Sequence, residues 1–234
     1  MNKLLLNNDD EINVLVIEED TELVIRLSNV ERNINIIVEK DICLNVIEFS
    51  SDTKNYLNVT LNENSRLIYN KIGKNVEDKI KVLLDGAFSS INLHSSVINL
   101  KNVKCDFEII HNNIDTNSYL SNHGVNASFE QMAFNVDCKI NKCADSAITN
   151  QENKIINTNC GKSIILPNLI VDNDDVSASH SAYISDFDEE IIFYLKSRGI
   201  SEENSRELLM NGFLLGNLEG IDEYIDEIKE FLKI

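Results

Sequence analysis

Two side chains in the C-terminal half of the sequence could take part in metal or thiol chemistry. His180, which lies between two serines, offers an imidazole nitrogen, a ligand suited to iron. Cys160, which lies between an asparagine and a glycine, offers a thiolate that could bind sulfide or iron. Both also have an ordinary interpretation, because a lone histidine on a strand is usually a surface or hydrogen-bonded residue and a lone cysteine is usually a small buried hydrophobe. Which interpretation applies depends on the secondary-structure elements that carry these two residues.

The other histidines and cysteines carry weaker signals. His111 and His123 lie in strand or turn contexts, and we interpret both as structural. The five cysteines include no Cys-x-x-Cys pair, so the sequence predicts neither a disulfide framework nor a structural zinc site. They are expected to be free thiols, most of them buried. No role is assigned to four of them, which are Cys43, Cys105, Cys138 and Cys143.

Composition narrows the class of protein. A chain of 234 residues can bury one sizeable core, or form one long domain with a small appendage. Its formal net charge of -18 at pH 7 argues against direct binding to nucleic acid or to an anionic membrane, since both need basic patches. The N-terminal apolar run has only three leucines, too short for a signal-peptide core or a membrane span. We therefore expect a cytoplasmic protein.

Most of the chain has the pattern of short strands. Runs rich in Ile, Val and Leu alternate with polar residues at a period of two, and Asn, Asp, Ser or Gly separate them about every ten residues. This spacing is typical of a sandwich, a barrel or a β-solenoid. We favour the solenoid, a right-handed β-helix over residues 1–185, because stacked coils tolerate a repeat of pattern without a fixed motif. A sandwich stays open as the alternative.

The pattern changes to helix at Asp186 and stays helical to the end. DEEIIFYLKSRG carries acidic residues in its first turn and ends at Gly199, a helix-terminating residue. SEENSRELLMNGF begins with Ser201 as its N-cap, and GIDEYIDEIKEFLKI repeats apolar residues at helical spacing. Residues 186–234 are thus expected to form a small α-helical subdomain, with an exposed apolar stripe in these last two segments.

Three segments carry a family resemblance. NCGKSIILPNLIV, DDVSASHSAYISDFDEEIIFYLKSRGIS and LLMNGF together resemble the C-terminal core of the SufB/SufD family of iron-sulfur cluster assembly proteins, and FYLKSRGIS is the most specific part. The resemblance covers about residues 150–215. It implies a β-helix core and a scaffold that is not itself an enzyme. Such a scaffold pairs through its β-helix, holds a SufC-type ABC ATPase on its C-terminal helices, and uses ATP only through that partner.

The resemblance also assigns residues. His180 and Cys160 become candidate ligands for iron or a transient iron-sulfur cluster at the interface of the pair, and the strands from Ile164 to Tyr183 become the expected interface. ATPase contacts are expected from the C-terminal helices, at Tyr194, Arg198, Leu208, Leu209 and Phe213. The second subunit could be a SufB-like paralogue or another copy of this chain.

This sequence departs from the family in three ways. The sequence is shorter than the usual members, and we expect no counterpart of their N-terminal helical domain in its first residues. The sulfur-accepting cysteine of the SufB type corresponds to Gln151 here, if no gap intervenes. The serine-flanked His180 is closer to SufD, whereas the asparagine and glycine around Cys160 are SufB-like. We therefore expect a short SufD-like member with a mixed signature.

Two other classes remain open. A β-helix carbohydrate-active enzyme is disfavoured because the chain has no tryptophan for sugar stacking and no G-x-S-x-G motif. A plain interaction solenoid would not explain why the sequence contains FYLKSRGIS.

Overall fold

The computed structural model describes residues 1–158 and 161–233, and in this part of the chain fifteen strands form two parallel sheets. We name them the odd sheet and the even sheet after the numbers of their strands. The odd sheet contains β1 (Asn2–Asn7), β3 (Thr21–Ser28), β5 (Cys43–Ser51), β7 (Arg66–Lys74), β9 (Ser90–Asn99), β11 (Asn117–Asn126), β13 (Ala147–Asn157) and β15 (Val176–Asp186). The even sheet contains β2 (Val14–Ile17), β4 (Glu31–Val38), β6 (Lys54–Leu61), β8 (Glu77–Leu84), β10 (Val103–His111), β12 (Gln131–Ile140) and β14 (Lys162–Val171).

The chain passes from one sheet to the other at every turn, so each odd strand and its even neighbour make one coil of a parallel β-solenoid. Coils stack in register: Leu23 pairs with Val46, and Val46 pairs with Tyr69. The turns use residues that tolerate the left-handed backbone region, for example Asn29, with φ 52°, and Asp52, with φ 52°. The predicted mainly β solenoid is confirmed, and the sandwich is not.

The helical tail follows the last strand. It contains α1 (Glu189–Ser197), α2 (Glu202–Leu215), a short 3₁₀ turn (Asp222–Tyr224) and α3 (Ile225–Leu232). Ser201 caps α2 through a bond from the Asn204 amide to its hydroxyl (3.1 Å), as the sequence predicts. Gly199 ends the first helix with φ 88°, where a side chain would be strained.

The tail packs across the outer face of the odd sheet. Its apolar residues form one cluster with outward-facing side chains of the strands: Ile47, Phe49, Ile72, Ile98 and Val125 from the sheet and Ile192, Met210, Leu214, Ile228 and Leu232 from the helices. The rings of Phe49 and Phe231 meet edge to face at 5.6 Å. The apolar stripe of α3 is thus buried, and the expectation of an exposed stripe in that segment is wrong, because the odd sheet already covers it.

Candidate functional site

The last coil of the solenoid has a free edge in both sheets. Among residues 1–158 and 161–233, β14 pairs only with β12, and β15 pairs only with β13. Large apolar side chains are exposed there, among them Ile170, at 49%, and Tyr183, at 60%. An edge strand with exposed apolar side chains is a template for pairing with another chain.

His180 lies on this last coil, directly above Gln151. The two residues are register partners on β15 and β13, so their side chains project from the same face of the odd sheet. Gln151 is fully buried inside the solenoid, whereas His180 is exposed at its open end. The Gln151 amide nitrogen donates to the Asn168 carbonyl at 3.4 Å, and its Oε1 has no hydrogen-bond partner among the described residues. His180 therefore presents its imidazole over a polar opening of the core.

A column of polar side chains runs through the core toward this opening. Register pairing places Glu48, Lys71, Ser95, Asn122 and Asn153 one above another on successive odd strands, all facing inward. All five are buried. The next position of the column, on β15, is two residues after His180. A solenoid core is mostly aliphatic, so polar groups in it need internal hydrogen bonds. Among the described residues, Ser95 Oγ and Asn122 Oδ1 of this column have no such partner.

The first part of this column is a buried charge cluster. The Lys71 ammonium lies 2.7 Å from Glu48 Oε1 and also contacts the Asp78 carboxylate, and Tyr69 donates its hydroxyl hydrogen to Glu48. Burial alone would lower the pKa of Lys71, but the two carboxylates more than offset it and hold the pKa above its ordinary value. Burial raises the pKa of Asp78, with the nearby Glu48 adding to the effect. Of the two carboxyl groups that share this ammonium, Asp78 is therefore the more readily protonated.

Comparisons with known proteins identify the family of the chain. A family model described as "SUF system FeS cluster assembly, SufBD core domain" matches residues 1–213. The chain belongs to the SufBD core family. It is 33% identical to the iron-sulfur cluster assembly protein SufD of Bacillus subtilis over 108 residues, which is 46% of this chain and 25% of that protein. The SufB protein of the same organism is 31% identical over 108 residues, which cover 46% of this chain and 23% of that protein.

A third relative extends the range of organisms. The SufD protein of Plasmodium falciparum is 41% identical over 87 residues, or 36% of this chain and 6% of that protein. In each of these three alignments a quarter or less of the relative is matched, so the activity and partners of the whole relatives come to this SufBD-family chain only as proposals.

Cys160, the other predicted ligand, lies outside the described residues, and its role remains a prediction. The structure does explain the glycine beside it. A Cβ on Gly161 would come within 2.2 Å of the Ser128 carbonyl oxygen, so only glycine fits. On the other side, the Thr158 amide donates to the Asn126 carbonyl at 2.9 Å.

His111 has the structural environment that its sequence context indicates. Its two ring nitrogens lie 2.8 Å from the hydroxyls of Thr116 and Ser118, and the Ser118 hydroxyl continues to Thr149 at 2.8 Å. The Cys138 thiol donates to the same Thr149 oxygen at 3.2 Å. Burial lowers the pKa of His111 to about 4, so the ring is neutral at pH 7. The chain of hydroxyls satisfies a neutral imidazole inside the core.

His123 also has a structural contact, since it joins the solenoid to the tail. Its Nδ1 lies 2.8 Å from the Phe213 carbonyl at the end of α2, and its ring stacks on the Phe213 ring at 4.3 Å. Burial lowers the pKa of His123, partly offset by that carbonyl. Phe213, one of the residues expected to contact an ATPase, thus turns toward the odd sheet.

The other expected docking residues differ in exposure. Tyr194 and Leu208 expose 55% and 54% of their surface, and the Arg198 guanidinium lies over the Tyr194 ring at 5.3 Å. Leu209 is partly buried against the cluster under the tail. Phe193, which was not among the predicted contacts, is the most exposed large hydrophobic residue of α1, and its place off the buried Ile192 stripe was a usable signal in the sequence.

Neither a metal centre nor a membrane span is found in the part of the chain that the structure describes. No three histidine, cysteine, aspartate or glutamate side chains in residues 1–158 and 161–233 are grouped closely enough to hold a metal ion. Within the same residues, none of the helices has the length and apolar character that crossing a bilayer requires.

Proposed function

We propose that this chain is a scaffold subunit of a SUF-type iron-sulfur cluster assembly complex. The observation that carries the proposal is the SufBD family match over residues 1–213 together with an open last coil that presents His180. The chain would do no chemistry of its own, so ATP would be hydrolysed only by a SufC-type ABC ATPase bound to it. The iron-sulfur cluster is cargo in this proposal, held transiently in the cytoplasm while it is built.

The open last coil is the proposed pairing surface. Its two strands each have one unpaired edge, and their outward apolar side chains Ile164, Leu166 and Ile170 are partly exposed. Pairing of this coil with the last coil of a second subunit, either another copy or a SufB-like chain, would bury these side chains. It would also enclose His180, and Cys160 is the proposed second ligand. An imidazole and a thiolate are both ligands for iron.

The outer side of α1 is the proposed ATPase surface. Phe193 exposes 74% of its surface and Tyr194 exposes 55%, and Arg198 lies beside them. Exposed aromatic and arginine side chains are the types that dominate protein interfaces. Leu208 on α2 is a further exposed contact, whereas Leu209 and Phe213 would act mainly by holding α2 in place.

The pairing surface can be tested by changing one exposed residue. Ile170→Glu should shift the chain from dimer to monomer in light scattering, or remove it from a complex with a co-expressed SufB-like chain. Tyr56→Glu is the matched control, since Tyr56 is a partly exposed residue on β6 of the same sheet, far from the free edge. Circular dichroism must show that both variants fold. An unchanged mass and unchanged complex for Ile170→Glu would contradict the proposed surface.

The ATPase surface has a separate test. Phe193→Ser combined with Tyr194→Ser should abolish co-purification of a co-expressed SufC-type ATPase and leave pairing unchanged. Lys229→Ser on the exposed side of α3 is the control and should retain the ATPase. Undiminished binding by the double variant would move the docking site elsewhere on the chain.

A further inference from the structure

The tail is fastened to the odd sheet by a buried asparagine. Asn217, just after α2, donates its side-chain amide hydrogens to the backbone oxygens of Ser95, at 2.9 Å, and Ser121, at 3.1 Å. It lies 3.3 Å from the Ser96 hydroxyl, which itself donates to the Leu214 carbonyl at the end of α2. One side chain thus connects the tail to the backbones of two neighbouring strands, β9 and β11.

A second set of hydrogen bonds continues from that point to the last coil. The residue after Ser121 is Asn122, whose side chain points into the core and donates to Asn153 Oδ1 at 2.8 Å. The Asn153 side chain then donates to the Ser181 carbonyl at 3.3 Å. Ser181 directly follows His180. All three asparagines are buried, with exposed fractions of 7% for Asn217 and 0% for Asn122 and Asn153.

We infer that Asn217, Asn122 and Asn153 are positioning residues that couple the tail to the strand carrying His180. The amide groups cannot be replaced by water in so closed a core, so a displacement of the tail at Asn217 must move the Ser121–Asn122 backbone or break a buried bond. Breaking it leaves a polar group unsatisfied, which is costly. A shift of β11 then passes through the two inward amides to the edge strand β15, which pairs with β13 on one side and has no strand on the other among the described residues.

The coupling itself depends only on this chain. Its role in repositioning His180 when an ATPase binds rests on the proposed function. If the ATPase binds α1 and the pair forms at the last coil, the three asparagines are the route by which movement of the tail repositions His180. The chain has other bonds between tail and sheet that lack this continuation. Asn92, for example, donates to Glu219 Oε2 at 3.1 Å but does not reach the inward column.

A double-mutant cycle tests the coupling. Contacts alone show only that the residues are connected, whereas non-additive effects of the substitutions show that a change at one residue reaches another. The measured quantity is amide hydrogen exchange of the peptide 176–186, which contains β15, in the full-length chain without partners. Asn217→Ala removes two hydrogen bonds, and if about one bond's worth of stabilisation is passed on to β15, this exchange should speed up about fivefold. Asn92→Ala is the matched control, since it removes a bond between β9 and Glu219 on the same connector, and it should leave the exchange of this peptide unchanged.

The second arm removes the inward pair. In Asn122→Leu/Asn153→Leu both partners are replaced by apolar side chains of similar shape, so stability should be nearly retained. Adding Asn217→Ala to this background should no longer change the exchange of peptide 176–186. An equal change in both backgrounds would overturn the inference, because the backbone pairing of β11, β13 and β15 would then carry the effect. No change in either background would overturn it as well.

Folding failures are covered by substitutes. If leucine overpacks the core, valine at the same two positions serves as the background. If Asn217→Ala does not fold, Ser96→Ala removes the bond to the Leu214 carbonyl and loosens the same end of α2. Failure of the proposed function can be distinguished from failure of the coupling. ATPase binding and pairing are measured by co-purification and light scattering on the same variants, whereas the coupling is measured by hydrogen exchange.

Discussion

The middle coils and the last coil of the solenoid share one register but differ in what covers them. Ile72 and Ile98, in the middle coils, are fully buried, because strands pair on both of their edges and the tail covers the outer face. Ile170 and Tyr183, in the last coil, have the same kind of side chain or larger and stay exposed. The difference indicates that middle-coil residues set the stability of the chain, whereas last-coil residues are available for a second molecule.

The largest effect is expected from removing the cover of the middle coils. A chain ending at Asp186 would expose Ile72, Ile98 and Val125, which are fully buried under the tail. Burial of each such side chain contributes roughly 1.5–3 kcal/mol, so the loss is on the order of 5 kcal/mol or more. We expect the shortened chain to aggregate or to bind a hydrophobic dye at room temperature. A soluble shortened chain with the melting temperature of the full chain would contradict the distinction between the two regions.

The second largest effect is expected from the buried charge cluster. Lys71→Met keeps the length of the side chain but leaves Glu48 and Asp78 without their ammonium partner. Removing one partner of a buried ion pair costs about 3–5 kcal/mol in the free energy of unfolding. Chemical denaturation at pH 7 measures this loss.

The pH dependence of the stability of Lys71→Met shows whether the loss comes from the missing charge. Lys71 keeps the pKa of Glu48 below its usual value, and without it both buried carboxyls should take up protons more readily. The deficit relative to wild type should therefore shrink as the pH falls from 7 to 5. Lys139→Met, at an exposed position on β12, is the control and should change stability little. A deficit that is constant with pH would point to lost packing as the cause.

A smaller and pH-dependent effect is expected from His111. Its folded-state pKa is about 4, below the ordinary 6.5, so the unfolded chain takes up the proton first as the pH falls. Its contribution to stability is complete above pH 6.5 and is lost as the pH falls to 4, a loss of about 3 kcal/mol at most. In His111→Gln this part of the pH dependence should disappear while that of the carboxylates remains. Denaturation curves of both proteins at pH 7 and pH 4.5 measure the difference, and parallel losses would contradict it.

Much of the fold could be predicted from the sequence because its signals are local. The period-two alternation indicated the strands, Ser201 and Gly199 marked helix ends, and the spacing of short strands favoured a solenoid. The position of the tail could not be predicted. A helical stripe such as that of α3 indicates an amphipathic helix but does not say which sheet face it covers. That is why an exposed stripe was expected where the structure has a buried one.

The candidate site was only partly predictable, for a related reason. The strand segment KSIILPNLIV is as apolar as strands of the closed coils, and only its place at the end of the stack leaves it exposed. Alternation alone already places Glu48 and Lys71 on the inward side of their strands. Their pairing depends on the register between coils, which the turn lengths set, so the cluster and the asparagine column had to be read from the structure.

The smallest effect on stability is expected at His180, in the last coil. His180 is exposed and has no hydrogen-bond or ion-pair partner among residues 1–158 and 161–233, so His180→Ala should change the melting temperature by less than about 2 °C. If His180 is a ligand at the pairing surface, the same variant should lower maturation of an iron-sulfur reporter protein in cells that depend on this chain. Ser179→Ala is the control, since the Ser179 hydroxyl donates to Asn150 Oδ1 (3.0 Å) at the surface, and it should leave maturation unchanged. A large drop in melting temperature with normal maturation per folded complex would make His180 a structural residue, and the last coil would then resemble the middle coils.

Cys160→Ser, measured in parallel and combined with His180→Ala, shows whether the two positions act together. If both are ligands of one cluster, the double variant should mature the reporter no worse than the more severe single variant.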